Sequence, residues 1–515
     1  MFPVVHTSNH ESRITNHESQ IALMEPLVLF EDDHLLAVNK PAGVNTHAPD
    51  VFAPEGLHEW LQRRRGRPLA IHHRLDKETS GVLVFGKTPT ANRSLTEQFE
   101  QKAVRKTYLF LTTAAPPPRP LRASSPIQGK PAATVFESAG RCGRFALMRA
   151  APETGRTHQI RVHAAQNGFA VAGDSLYETP ATPLPRLMLH AASLELRHPQ
   201  TGQTLRIEAP TPATFSDPAW LTAAREFRSL LFDPADTNAC RLVSGTADGF
   251  TNAMVDRYGE RLLVQWYGQR DPRLNAALQS AMSESQVVER SMERQPVGET
   301  AVPESRFEIV ENGLKFSVSL NAGYSTGLFL DQRENRRRLL VSNLHGKTVL
   351  NTFAYTCAFS VAAARAGATV TSLDLSKRYL DWGRDNFRLN SVNPEAHDFI
   401  YGDCFDWLAR LAKKGRAYDL VLLDPPTFST AKKGRAFSAE KDYAKLVAIA
   451  EPLVKAGGTL FCSTNARSLT PQRFMEAVKR GAPRTRKMEF ATQPFDFRIA
   501  PGEKSYLKTI WAELE

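Results

Sequence analysis

The chain has little cysteine. Five thiols are spread over 515 residues, at Cys142, Cys240, Cys357, Cys404 and Cys462, with no close pair among them. That spacing excludes a disulfide framework and a Cys-paired zinc site, and it fits a reducing, cytoplasmic setting. No apolar run is long enough to span a bilayer, so no membrane role is expected. The N-terminus lacks the apolar core of a cleavable signal and has His, Asn and Glu in its place. A Gly-x-Gly-x-x-Gly fingerprint is also missing, which counts against a dinucleotide enzyme. Acidic charge is in deficit, with 54 Asp and Glu against 65 Lys and Arg, a formal balance of +11.

The basic excess is clustered. Arg63, Arg64, Arg65 and Arg67 form one run, and Lys102, Arg105 and Lys106 a second. Arg336, Arg337 and Arg338 form a third, and Lys432, Lys433 and Arg435 a fourth. Each run alone reads as a solvated face. Their placement beside the motifs described below points to a phosphate-binding surface and a nucleic-acid partner. Residues 1–24 carry a short polar repeat, Ser8-Asn9-His10-Glu11-Ser12 recurring as Thr15-Asn16-His17-Glu18-Ser19. Such a segment cannot bury a core, so it is expected to be a disordered leader, or sequence upstream of a true start at Met24.

The length implies two or three domains. Ordered sequence is expected from Leu27, with short strands at residues 27–30, 35–38, 81–85 and 107–111 and a helix at residues 90–101. Residues 159–166 admit either a helix or a strand. Ala209-Pro210-Thr211-Pro212 closes this first unit, giving an α+β domain at 25–212. Residues 213–306 read as a strand-rich connection, whose polar stretch from about Ser280 to Arg306 looks like a linker or insertion. From Thr348 strands and helices alternate. That rhythm predicts a Rossmann-like α/β domain over 307–515, with ligand at the strand carboxyl ends.

Two constellations carry chemistry. The first is His73-Arg74-Leu75-Asp76-Lys77-Glu78-Thr79-Ser80-Gly81, followed by Gly155-Arg156-Thr157-His158-Gln159-Ile160-Arg161. An aspartate in a closed pocket can act as nucleophile or base on a nucleoside if a cation keeps it ionised. Together with Asn39-Lys40-Pro41-Ala42-Gly43, Lys106-Thr107-Tyr108 and Leu189-His190-Ala191, these motifs resemble the RluA-type RNA pseudouridine synthases over residues 27–212. The resemblance implies Asp76 as the catalytic residue and Arg161 as its ion-pair partner. It also implies that Tyr108 packs on the target base, that Arg74 helps to extrude the nucleotide, and that no metal or organic cofactor is needed.

The second constellation is a cofactor turn and a base gate. Asn351-Thr352-Phe353-Ala354-Tyr355-Thr356 follows a strand, and Asp374 stands 23 positions after Asn351, near the spacing of about 20 at which a carboxylate meets a ribose. Asp424-Pro425-Pro426-Thr427-Phe428 makes a stiff loop, short of N–H donors, with an aromatic that can stack on a flipped base. With Gly327-Leu328-Phe329-Leu330-Asp331-Gln332-Arg333 and Gly402-Asp403-Cys404, these motifs resemble the class I, S-adenosylmethionine-dependent methyltransferases of large-subunit rRNA, of the RlmK and RlmI types. The resemblance implies S-adenosylmethionine as cofactor, held by Asp374 at its ribose, by Asp403 at its adenine and by Tyr355 and Thr356 at its methionine end, with Gln332 and Arg333 adjoining. It implies Asp424, Pro425, Pro426, Phe428 and Asn465 as target-base residues.

The chain departs from that pattern at Cys357, where relatives usually have Gly, so the cofactor is expected to meet a side chain at that turn. Relatives that methylate carbon 5 of cytosine carry a nucleophilic cysteine where Asn465 stands here, and Cys462 comes three residues early. The pattern therefore favours nitrogen 7 of guanine. The expectation is a bifunctional RNA-modifying enzyme acting on rRNA, with no obligate protein partner indicated. One alternative keeps only the synthase active, with the C-terminal half as an RNA-binding platform. Another is a non-catalytic ribosome assembly factor.

Overall fold

The computed structural model describes residues 25–281, 286–292, 305–321, 325–430 and 436–515. The proposed leader at 1–24, most of the polar stretch before Arg306 and the Lys432–Arg435 run lie outside the described residues.

The N-terminal half is built on a ten-stranded, mainly antiparallel sheet. Its strand Ser80–Gly86 is buried at every position because both faces of the sheet are covered there. Leu83 and Phe85 pack with Leu57, Trp60 and Leu61 of helix Leu57–Arg65. Val82 and Val84 pack on the other side with Ala91 and Leu95 of helix Pro89–Glu100. The alternation follows from the two-residue period of a strand. Gly81, at φ +115°, lets the strand Leu189–Arg197 approach closely, since a Cβ there would lie 2.2 Å from the Ala191 carbonyl oxygen.

Residues Gln159–Gln166 are helical, which resolves the ambiguity in the sequence. The Gln159 side chain accepts from the Arg156 N–H (3.0 Å) and the Thr154 hydroxyl (2.6 Å), tying the preceding turn to the first helical turn. The helix then buries Ile160, Arg161, His163 and Ala164.

The expected connection after residue 212 is a folded unit. Strands Ala239–Ser244, Ala253–Tyr258, Arg261–Trp266 and Val287–Ser291 form a four-stranded sheet, the last pairing parallel to the third. Helix Pro272–Ala281 buries Leu274 and Leu278 against it. Part of the presumed linker is therefore the strand Val287–Ser291, which the mixed polar and apolar pattern of the segment concealed. Ala239, Tyr258 and Leu263 share one apolar core with Ile309 and Phe316 of the hairpin Phe307–Glu311/Leu314–Val318 and with Val349 and Phe387 further on. Among the described residues, that core joins elements on either side of residue 306.

The C-terminal sheet has seven strands. Their spatial order is Asp398–Tyr401, Thr369–Asp374, Thr348–Thr352, Tyr418–Leu423, Val454–Thr464, Lys508–Leu514, Thr485–Thr492. The first five are parallel, and Lys508–Leu514 runs antiparallel to its neighbours. The chain order reverses at Thr348–Thr352, so the crevice beyond the carboxyl ends of this strand and of Tyr418–Leu423 is the expected ligand position.

The two halves are packed together. Trp60 lies against Phe495 (centroids 5.6 Å apart) and Phe52 against Phe490 (5.5 Å). Arg64 pairs with Glu334 at 2.6 Å and with Glu25 at 3.4 Å. This corrects the reading of two basic runs. Arg63, Arg64, Arg65 and Arg67 all pair with Glu25, Glu31, Glu55 or Glu334, and Arg336 is buried on Glu311 at 2.6 Å. The guanidiniums of Arg63, Arg64, Arg65 and Arg336 are committed to the protein itself rather than to a phosphate surface, while Arg67 stays exposed. No helix among the described residues is long and apolar enough to cross a membrane.

Candidate active sites

A cleft of about 730 Å³ opens in the N-terminal half, with Asp76, Tyr108, His158, Arg161, Arg74 and Lys106 among its lining. The backbone of Asp76 is fixed by a turn in which the Thr79 N–H donates to its carbonyl (3.0 Å). Asp76 Oδ2 lies 3.9 Å from Arg161 Nη1 and 3.9 Å from His158 Nε2. Tyr108 stands on the strand Arg105–Thr112, where burial first and the Asp76 charge second push its hydroxyl above the usual range, so it stays a neutral phenol. Arg74 is exposed at the rim.

The tighter partner of Arg161 is Asp174, which it grips with Nε at 2.7 Å and Nη2 at 2.8 Å. Burial works to raise the Asp174 pKa, but the guanidinium and the Leu176 and Tyr177 amides outweigh it and hold the carboxyl below its usual range. Asp174 therefore aims Arg161, whose remaining nitrogen faces Asp76. Behind the loop, buried Lys40 donates to the carbonyls of Pro41, Val44 and Lys77 at 3.0, 2.7 and 3.0 Å. Burial lowers its pKa to about 7. His73 is stacked on Phe99 and accepts from the Val84 N–H (3.1 Å), and burial lowers its pKa to about 3. It is a neutral structural group.

In the C-terminal domain the turn after Thr348–Thr352 has left-handed backbone at Phe353, Tyr355 and Cys357 (φ +54°, +50° and +61°). Asp374, at the end of the next strand, accepts from the Tyr355 N–H on Oδ2 and from the Ser376 N–H on Oδ1, both at 2.8 Å. Each oxygen keeps a lone pair for a diol. Asp403 caps helix Cys404–Lys413 by accepting from Phe405 and Asp406 through Oδ1. Leu375 (50%) and Tyr401 (56%), beside Asp374, and Phe329 (50%), against Tyr355, are exposed. Paired acceptors beside exposed apolar faces are what a nucleoside cofactor requires. Thr356 is fully buried and donates to the Gly327 carbonyl (2.5 Å), so it shapes the turn rather than facing a ligand.

The second carboxylate of this domain sits at the next strand end. Asp424 receives Gln332 Nε2 at 3.3 Å on both oxygens. Burial raises its pKa to about 6, with Ser463 opposing and Asp331 adding to the rise. The Tyr443 hydroxyl locks the loop from below, accepting from the Ser463 N–H (2.9 Å) and donating to its carbonyl (2.8 Å). Pro426 and Asn465 are exposed, Phe428 is 62% exposed, and the Thr427 hydroxyl donates to the Asn465 carbonyl oxygen.

Comparison with known proteins matches both halves. The family model of RNA pseudouridylate synthases covers residues 34–166, and that of S-adenosylmethionine-dependent methyltransferases covers residues 281–508. The protein named ribosomal large subunit pseudouridine synthase C of Salmonella typhimurium is 38% identical over 237 residues, which cover 40% of this chain and 73% of that protein. The protein named ribosomal RNA large subunit methyltransferase of Deinococcus radiodurans is 32% identical over 358 residues, 63% of this chain and 86% of that protein. The chain belongs to both families. Among solved structures, one described as a methyltransferase complexed with SAH matches 69% of this chain and 98% of its own length, at 26% identity and TM-score 0.51. The chain is thus a pseudouridine synthase joined to a methyltransferase that uses S-adenosylmethionine.

In the methyltransferase half the structure corrects the expected role of Arg333. Its side chain is wholly buried, on Asp496 (3.0 Å) and the Ala239 carbonyl (2.8 Å), and cannot reach a cofactor. Gln332 is turned to Asp424 and Ser463. Cys357 does not crowd the cofactor turn. It is fully buried, and its Sγ occupies the space over Gly383, where an added Cβ would lie 2.4 Å away. The missing side chain at Gly383 makes room for the extra one at Cys357. Cys462 is fully buried inside the strand Val454–Thr464, and burial raises its pKa, so it is no nucleophile.

The sequence pointed to no role for Asp174, Tyr401 or Tyr443, and it showed Lys40 and Leu375 only as members of motifs. Asp174 left one signal, an acidic residue directly after the apolar Phe169–Gly173 stretch. Tyr401 left another, as the residue before Gly402-Asp403. The roles of Lys40 and Tyr443 lie in contacts that no local pattern announces.

Proposed function

We propose that the chain modifies ribosomal RNA twice, isomerising a uridine with Asp76 and methylating nitrogen 7 of a guanine beside Asp424. The observation that carries the first reaction is Asp76 at 3.9 Å from both Arg161 and His158 inside a closed-backed cleft. The Arg161 guanidinium, aimed by Asp174, stands beside that carboxylate. Tyr108 would pack on the base, and Arg74 at the rim would hold the extruded nucleotide, whose unstacking costs a few kcal/mol. The rRNA substrate is suggested by the names of the relatives.

For the second reaction, S-adenosylmethionine would supply an electrophilic methyl group when bound. Asp374 would hold its ribose, Asp403 and Tyr401 its adenine, and the turn at Tyr355, braced by buried Thr356, its methionine end. Nitrogen 7 is already nucleophilic, so positioning suffices. Guanine is favoured over carbon 5 of cytosine because that position needs a thiolate. The strand end carries Asn465, and Cys462 is sealed within the strand. Asn465, whose carbonyl oxygen is taken by Thr427, has its two N–H donors left for a base acceptor. Asp424 would accept from the amino and imino groups of guanine, while Pro426 and Phe428 would form the stacking wall; Pro425, expected there too, is buried.

Nucleoside mass spectrometry of rRNA from cells with and without the gene tests both steps. Loss of one pseudouridine and one 7-methylguanine is the expected result. Loss of a 5-methylcytosine would overturn the assignment of the methylated atom. If neither modification changed, rRNA would be the wrong substrate.

A further inference from the structure

Asp424 is not held by its own loop alone. Three buried side chains lead to it in a line from the strand Lys508–Leu514. Trp511 Nε1 donates to Asn335 Oδ1 at 3.1 Å. Asn335 Nδ2 donates to Gln332 Oε1 at 2.7 Å. Gln332 Nε2 then donates to Ser463 Oγ at 2.7 Å and to both Asp424 oxygens at 3.3 Å. Trp511, Asn335 and Gln332 are 6%, 7% and 3% exposed, so water does not compete for these bonds.

The direction of this chain is forced. An indole N–H can only donate, so Asn335 must present its oxygen to Trp511 and its amide nitrogen to Gln332. Gln332 must then turn its own oxygen to Asn335 and its NH2 to Asp424. With Gln332 donating to the Ser463 oxygen, the Ser463 hydroxyl proton is free for the carboxylate. A flipped Gln332 would instead set a carbonyl against the carboxylate, and an acceptor facing an acceptor in a buried site is costly.

We infer that Trp511, Asn335 and Gln332 form a positioning relay that fixes the orientation of Asp424 and keeps it an acceptor for the target base. This rests on the reading of Asp424 as a target-base residue. Three further groups act on that carboxyl. Asp331 opposes ionisation and Arg336 favours it, while the Tyr443 hydroxyl lies nearby. The relay adds the neutral donors that offset burial. Such a device suits a base that presents N–H groups, and it gives methyl transfer an acid limb governed by one carboxyl.

The test measures methyl transfer by the full chain against pH, on deproteinised large-subunit rRNA from cells lacking the gene. Asn335→Asp keeps the acceptor for Trp511 and puts an oxygen against Gln332, which favours the flip. The expected result is an acid limb about two pH units higher, and with it a loss of about 10-fold in methyl transfer at pH 7 that recovers at pH 9. A carboxyl that titrates near 6 is about nine-tenths ionised at pH 7, and one moved up two units about one-tenth. Trp511→Phe removes only the indole donor and should move the limb the same way by less. Affinity for S-adenosylhomocysteine, read by calorimetry, should stay within about twofold in both variants. If Asp424→Asn abolishes transfer but Asn335→Asp leaves the pH profile in place, the relay is overturned. If S-adenosylhomocysteine affinity collapses along with activity, the three residues are a structural strut and the inference fails. Retention of transfer in Asp424→Asn would instead sink the reading of Asp424 itself.

Discussion

Asp76 and Asp424 are carboxylates in opposite situations, and their variants should behave differently. Asp76 stands in an open cleft between Arg161 and His158. Replacing it by Ala should cost pseudouridine formation at least about 10²-fold, the lower range for loss of a positioned acid–base or nucleophilic group, while methyl transfer by the same preparation is unchanged. Paired nucleoside analysis of one reaction would show both. Asp424 is half-buried at a strand end, with its pKa raised to about 6. Its ionised form is the one that accepts from a base, so methyl transfer should fall about tenfold per pH unit below that value. The same shift has a stability consequence. The folded pKa lies above the ordinary 3.8, so folding binds the proton more tightly. The resulting stabilisation is complete below pH 3.8 and fades as pH rises through about 6. Asp424→Asn should therefore raise the melting temperature at pH 7 to 8, with the gain shrinking towards pH 4. A melting series across that range that shows no pH-dependent gain would contradict it.

At the scale of elements, the cofactor turn depends on how two helices meet. Cys357 begins helix Ala358–Arg365 in left-handed backbone, and its sulfur rests over Gly383 of helix Lys377–Leu389. Burial pushes this thiol up to about 12, so it stays neutral and apolar in behaviour. Gly383→Ala would place a methyl 2.4 Å from the sulfur, a clash worth about 1–3 kcal/mol. Cys357→Gly should restore much of that stability in the double variant, since it also relieves the left-handed φ. Denaturation of the four proteins of this cycle measures the coupling. Additive single effects would mean that the two residues do not share one space.

The whole molecule is joined by buried charge as well as by aromatic contacts. Arg64 and Glu334 are 6% and 11% exposed and meet at 2.6 Å across the two halves. Burial alone would raise the Glu334 pKa, but Arg64 and Arg63 bring it to about 2. Arg64→Ala would leave that carboxylate buried without its main partner and should cost about 3–5 kcal/mol. Adding Glu334→Gln should recover part of the loss. A second contact ties the halves near the synthase site. Arg498 Nη2 lies 2.6 Å from where a Cβ on Gly43 would stand, and the Gly43 N–H donates to the Lys77 carbonyl (2.8 Å) beside Asp76. The synthase loop therefore leans on a residue of the methyltransferase half.

What the sequence by itself determined is local. The Asp76 loop, the strand with its turn at Tyr355, Asp374 and the Asp-Pro-Pro loop are short segments whose side chains are placed by their own backbone turns, so a motif and its spacing reveal them. Single strands and helices such as 35–38, 81–85 and 90–101 were legible too, because their periods repeat over a few residues, but the pairing of strands into ten- and seven-stranded sheets was not. Tertiary structure decided what depends on distant partners. It gave Arg161 to Asp174 and closed Arg333 onto Asp496, 163 positions away. It set Gln332 on Ser463, 131 positions away, and Arg64 on Glu334, 270 positions away. It turned two arginine runs inward and made room for Cys357 over Gly383. A hydrogen bond or an ion pair acts over about 3 Å, and which two residues come that close is a property of the folded topology rather than of either segment.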